Sequence, residues 1–325
     1  MLRRIVRLVT GGALVTLVAP AAALGQNPQC AGLSTASNAR QTCDAAVDFA
    51  HAYYQLAGVA VSGGNPAIGA GGPVGRLGAF SVTLRANGFR LSVPDLSSVT
   101  ADGHVAEQDN LLAPAPLLEA RMGLYPGLRR GFLAVDLLAA AQLVPNEKFS
   151  SDIRVDSNAA RIGPVSLGLG FGAQVGLMAE DRERPAVSLS AMRRSIPRVG
   201  FGDVAGGDEA QADVNLVAWN IRATAGKRFG LLMVAGGAGW SRYTGKANAA
   251  YNVGIGPGEQ GTILVDLAQT RWMAFVDAGV DLKVVKVVGE IGRQFGVDQG
   301  LTTTFDGYND AGGTTFYSLG LRFGS

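Results

Sequence analysis

The clearest pattern in the chain is a strict alternation. In Val165-Ser-Leu-Gly-Leu-Gly-Phe-Gly-Ala-Gln-Val-Gly-Leu177 every odd position is apolar and every even position is small or polar. Side chains of a β-strand point alternately to opposite faces, so this run has one apolar face and one small-residue face. It is longer than the ~5–6 residues of a common globular strand and long enough to cross a bilayer, which takes ~9–11 residues. Similar rows recur at Val217-Trp219-Ile221-Ala223, at Leu232 to Trp240, at Trp272 to Leu282, at Val285 to Ile291 and at Tyr317 to Phe323. Weaker ones lie at 75–86, 116–125, 131–142 and 185–194, which brings the candidates to ten.

The connections alternate as well. Short ones fall at Pro126–Arg130, Ala179–Pro185, Lys227–Phe229 and around Lys283, and long polar ones at 87–115, 143–161, 195–212, 244–269 and 297–313. Outer-membrane barrels have short periplasmic turns and long outer loops. A chain that enters from the periplasm and crosses ten times places every short connection inside and every long one outside, and returns the last strand to the periplasm. An extra hairpin within 87–115 would raise the number to twelve. The predicted fold is all-β, a transmembrane antiparallel up-and-down barrel. A soluble sandwich would use many shorter strands.

The region before the strands differs. From Asp44 to Leu56 the residues are strong helix formers, with Val47, Ala50, Tyr54 and Ala57 near helical spacing, and a Gly/Pro-rich connector runs from Ala57 to Pro73. Earlier still, Arg3, Arg4 and Arg7 precede a short apolar stretch and the small residues Ala21, Ala22 and Ala23. This is the layout of an export signal, too short in its apolar part to span a bilayer. The expected division is a signal peptide at 1–25, a periplasmic segment with a helix at 26–74, and an outer-membrane barrel at 75–325. No cysteine directly follows the cleavage zone, which argues against a lipid anchor.

Composition fits this division. Of 325 residues 46 are glycine and only 17% are charged, against ~7% glycine and ~25% charged in ordinary soluble domains. The net charge of +2 belongs to the signal: without its three arginines, 25 basic residues face 26 acidic ones. The chain therefore offers no electrostatic case for nucleic acid. Cys30 and Cys43 are the only cysteines, and in an oxidising compartment they are expected to form a disulfide.

The segment Phe316-Tyr-Ser-Leu-Gly-Leu-Arg-Phe323 resembles the closing strand of bacterial outer-membrane β-barrel proteins, with Tyr317, Leu319, Leu321 and the terminal aromatic Phe323 in place. The chain departs from that pattern by continuing with Gly324-Ser325. The resemblance implies outer-membrane lipid and the barrel-insertion machinery as partners. Ala57-Gly-Val-Ala60 followed by Asn65-Pro-Ala67 is similar to the N-terminal segment of the long-chain fatty-acid transporter group over a few residues, and no function is carried over from it. Trp219, Trp240, Trp272, Tyr317 and Phe295 fall near the outer ends of their rows, and Tyr125, Phe132 and Phe323 near the inner ends, as interfacial aromatics should.

Candidate chemistry is sparse. After the signal there are two histidines, His51 on the helix and His104 in the first long loop near Asp102 and Asp109, with no serine motif around them. No catalytic set is expected. Gly63-Gly64 and Gly168 to Gly172 lack the Lys-Ser/Thr of a phosphate loop, and Asp203, Asp208, Glu209 and Asp213 lack calcium-loop spacing. No metal or cofactor is predicted.

Opposite the apolar rows stand Glu119, Arg121, Asp136, Gln174, Asn220, Arg222, Asp277, Asp281, Lys286, Glu290 and Arg322. Charges in the membrane zone are costly toward lipid, so these face the lumen. Five acids against four bases point to a paired, partly filled interior rather than a wide pore of one sign. The function expected first is a narrow channel or passage for an unidentified small solute. The alternative is a non-transporting barrel that displays its loops, as an adhesin does; an outer-membrane hydrolase comes third, disfavoured by the scarcity of histidine.

Overall fold

A computed structural model describes residues 27–34, 37–128, 131–145, 153–155, 161–162, 165–309 and 311–324. The expected export signal at 1–25 lies outside them. One helix, α1 (Ala39–Ser62), precedes ten long strands. These are β1 (Phe80–Pro94), β2 (Glu107–Tyr125), β3 (Val135–Pro145), β4 (Val165–Met178) and β5 (Ala186–Phe201), then β6 (Ala210–Phe229), β7 (Leu232–Asn252), β8 (Gln260–Asp281), β9 (Val285–Gln294) and β10 (Thr314–Gly324). Each pairs antiparallel with its sequence neighbours, and β10 pairs back onto β1 from Ser81↔Gly324 to Phe89↔Phe316, closing the barrel.

The strand number is ten, and the short turns lie together at one end. The long connections are shorter than the sequence suggests. Residues 87–94 and 107–115 contain no extra hairpin; they continue β1 and β2, paired as far as Pro94↔Glu107 across a register shift after Val93. Likewise 195–201, 210–212, 244–252 and 260–269 are strand.

The physical reason is an exchange of rows. In β6 the outward residues Val217, Trp219, Ile221 and Ala223 are apolar, but above them Gln211, Asp213 and Asn215 point outward. On the inward row the order is opposite: Asn220, Arg222 and Thr224 lie below, and Ala210, Ala212, Val214, Leu216 and Ala218 lie above, all buried. β7 and β8 do the same beyond Trp240 and Trp272, where the outward Lys246 and Asp266 approach to 3.8 Å and Ala247, Ala249, Val265 and Leu267 turn inward. The barrel thus has two storeys. The lower one is apolar outside and polar inside, as a bilayer requires. The upper one is polar outside and apolar inside, as in a water-soluble barrel.

Trp219, Trp272, Tyr317 and Phe323 are exposed on the outer wall, with Trp240 half-buried beside Trp272. The tryptophans mark the boundary between the storeys.

Candidate functional site

The upper storey is apolar inside because α1 packs against its wall. Instead of standing apart in front of the barrel, as the sequence suggests for 26–74, the segment runs through the lumen. Ala39, Ala45, Ala46, Val47, Phe49, Ala50, Tyr54 and Ala57 join one core with Val199, Phe201, Ala212, Val214, Leu216, Tyr243, Tyr251 and Leu267 of the wall. The many alanines keep the helix narrow enough to fit. Gly58 meets the face of Tyr243, where an added Cβ would sit 2.7 Å from the ring.

Leu33 lies against Gly258 in the β7–β8 connection, so the segment starts at the long-loop end. Cys30 and Cys43 are joined there as a disulfide. Asn27 donates its backbone N–H to Asp44, and Asp48 accepts from Thr302 N, Thr302 Oγ1 and Thr303 N, each at 2.8 Å. The chain then descends to the short-turn end, where Gly78 N–H bonds Gly123 O before β1 begins.

Below the helix, residues 63–74 form an irregular strap through the lower storey. Its backbone groups have left water and need partners. The wall supplies both kinds. Glu290 Oε2 accepts Asn65 N–H at 2.7 Å, Asp277 Oδ2 accepts Gly69 N–H at 3.0 Å and Asn65 Nδ2 at 2.7 Å, and Asp136 Oδ2 accepts Val74 N–H at 2.7 Å. Conversely Arg322 donates to Ile68 O at 2.8 Å, Arg121 to Gly72 O at 3.2 Å, and Arg222 to Gly64 O at 3.3 Å and Gly63 O at 3.4 Å. Mixed charge in the lumen is therefore the signature of a threaded backbone. Gly71 passes so close to Gly226 that a side chain on it would strike the wall backbone.

Glu119, Arg121, Asp136, Gln174, Asn220, Arg222, Asp277, Lys286, Glu290 and Arg322 are all buried. Asp281 stands at the lower mouth, 3.7 Å from Lys286 Nζ. What the sequence reading missed is the arginines that complete the network. Arg85 pairs with Glu290 at 2.5 Å, lies 3.6 Å from Glu119, and donates to Asn65 O at 2.7 Å. Arg194 pairs with Glu119 at 2.9 Å and donates to Val61 O at 2.7 Å. Both were findable. Arg85 shares its row with Ser81, Thr83 and Asn87, and Arg194 shares its row with Ser188 and Ser190, opposite apolar neighbours.

His51 is half-buried on α1, and His104 Nε2 lies 3.0 Å from Asp306 Oδ1. Asp102 accepts from Thr100 Oγ1. Among the described residues no group of three or more His, Cys, Asp or Glu is placed to hold a metal ion.

A closed ten-strand barrel with an apolar outer band, tryptophans at its upper edge and a polar lower interior defines a transmembrane β-barrel of the outer-membrane type. No family model matches the sequence, and no curated protein matches it. Solved structures similar to it include the outer-membrane protease OmpT from Escherichia coli, at 13% identity over 76% of this chain and 94% of that one, with a TM-score of 0.37. The translocator domain of the autotransporter NalP from Neisseria meningitidis is 10% identical over 75% and 88% of the two chains, with a TM-score of 0.40. A Pseudomonas aeruginosa FadL homologue is 12% identical over 84% and 97%, with a TM-score of 0.28.

Proposed function

We propose that the protein is a gated passage for small solutes in the outer membrane, with residues 63–74 as the gate. The observation that carries this reading is the kind of contact that holds the strap. Most of its anchors are single hydrogen bonds to polar wall groups, which water in an opened lumen can replace at little cost. The wall retains its own pairs when the strap leaves, because Arg85–Glu290 and Arg194–Glu119 join strand to strand. The helix above is held by apolar packing and stays as a fixed constriction.

A second reading, a non-transporting barrel that displays its loops, draws on the upper mouth. There a two-residue parallel bridge joins 104–105 to 304–305, and Asp48 ties the same loop to the helix.

Planar-bilayer recording separates the two. A Cβ on Gly72 of the strap would lie 2.8 Å from Ala186 Cβ of β5, so Gly72→Cys with Ala186→Cys can lock the strap to the wall. The passage reading expects steady conductance in the parent protein, loss of it in the oxidised double variant, and recovery with reductant. Parent protein with and without reductant controls for the native disulfide. No steady current in either the parent or Asn65→Ala, which loosens the strap, sinks the passage reading and leaves display.

A further inference from the structure

The lower mouth holds a cavity of about 190 Å³ between the strap backbone at 69–75 and the strand ends. Its charged lining is one-sided: Arg121, Lys227, Arg228, Lys286 and Arg322 against Glu180 alone. Glu180 is already engaged by the backbone N–H of Arg228 at 2.7 Å.

Two features make this more than a crowd of mouth-facing cations. Lys286 and Arg322 are directly opposite in the β9–β10 register, where like charges repel. Arg322 is buried, and its other bonds are to Ile68 O and, at 3.5 Å, to Met233 Sδ. Its Nε has no partner among the described residues. Asp281 at the mouth pairs with Lys286 at 3.7 Å, which leaves the guanidinium of Arg322 short of acceptors in a pocket whose lining stays positive.

We propose that this cavity binds a soluble phosphate-type oxyanion, either free or as the phosphate group of a small solute. The volume suits it: with a water's share of ~30 Å³, the space takes the equivalent of about six waters. The guanidinium of Arg322 offers planar, forked donors that match phosphate oxygens, and Lys286 and Arg228 add charge from the rim. The strap closes the top of the cavity with its backbone at Gly69 to Gly72, so an anion here also touches the proposed gate. Binding does not require the gate to move. The site stands whether or not solute crosses the barrel.

The test is a titration of inorganic phosphate into the full-length protein in zwitterionic-lipid nanodiscs, followed by calorimetry at constant ionic strength set with chloride. The expected result is saturable binding, weakened at least tenfold in Arg322→Gln and severalfold in Arg228→Gln, and strengthened in Glu180→Gln. Arg228 is exposed at a strand end, so its variant folds even where Arg322→Gln disturbs the strap; heat-modifiability on gels reports folding for each. The absence of saturable binding in the parent, or affinity unchanged in folded Arg322→Gln or Arg228→Gln, overturns the proposal. Repeating the titration in phosphatidylglycerol nanodiscs distinguishes the anion's source. Unchanged affinity supports a soluble ligand, and competition by the lipid headgroup overturns that assignment.

Discussion

The two storeys of the barrel share ten strands and one threaded segment, yet they are built on opposite rules. In the upper storey the segment is a helix and meets the wall through Phe49, Tyr54, Val214 and Leu216, with Phe49 edge-on to Phe201 at 5.5 Å. In the lower storey it is an irregular strap and meets the wall mainly through hydrogen bonds and ionised groups. The solvent outside decides which. Where lipid surrounds the wall, apolar side chains face out and the polar ones must be satisfied inside. Where water surrounds it, the apolar side chains face in and build a core as in any soluble domain. One strand, β6, changes from one rule to the other at Val217–Ala218, just below an irregularity where its pairing with β5 passes from Ile196↔Leu216 to Val199↔Val214.

Five substitutions test this contrast by chemical unfolding in lipid followed by tryptophan fluorescence. The largest effect is expected from Arg85→Met. It leaves Glu290 Oε1 with only Ser318 Oγ in the lower storey, and breaking a buried pair in this way costs ~3–5 kcal/mol. Restored stability in Arg85→Met with Glu290→Gln would confirm that the loss comes from the uncompensated charge. Next is Val276→Lys on the lipid face, at ~2–4 kcal/mol near mid-depth. Leu264→Lys, outward and exposed on the upper storey, should remain within ~0.5 kcal/mol of the parent, as exposed substitutions do. Equal costs at Val276 and Leu264 would break the two-storey division. Val214→Ala removes two carbons from the upper core and should cost about 1.5–2 kcal/mol. The smallest effect belongs to Lys246→Ala, whose exposed partnership with Asp266 is worth ~0–1 kcal/mol and weakens further in salt.

The same contrast explains what the sequence made legible. Strands that cross lipid announce themselves, because Trp219, Ile221 and Ala223 alternate with Asn220 and Arg222. The upper halves look like polar loops only to a reader who keeps the outward row apolar throughout. Read with the rows exchanged, Ala210, Ala212, Val214 and Leu216 are as regular as the lower strand. The cost of charge against lipid points the acids and bases inward, but nothing in a row of acids and bases says what they hold. Helix α1 was visible as a helix, and its place was not. The available hint was that it is rich in Ala, Val, Phe and Tyr almost all round, a property of helices enclosed on every side. Arg85 and Arg194 were missed because their rows are the weakest in apolar contrast, β1 carrying Gly88 and β5 carrying Arg193 on the outward face.

The thread inside the hoop also constrains how the molecule can be made. Residues 27–74 come before every strand, and the ring is completed only when β10 zips onto β1 along the seam from Ser81↔Gly324 to Phe89↔Phe316. A ring that closed empty would then have to admit a helix with a disulfide-closed loop at its leading end, through a lower mouth already ringed by side chains. Assembly therefore has an order: the helix is in place against the strands it packs on, chiefly β6 to β8, before the seam is sealed. A barrel produced without its first segment should not recover the native state when that segment is supplied separately, whereas one held open at the β1–β10 seam should.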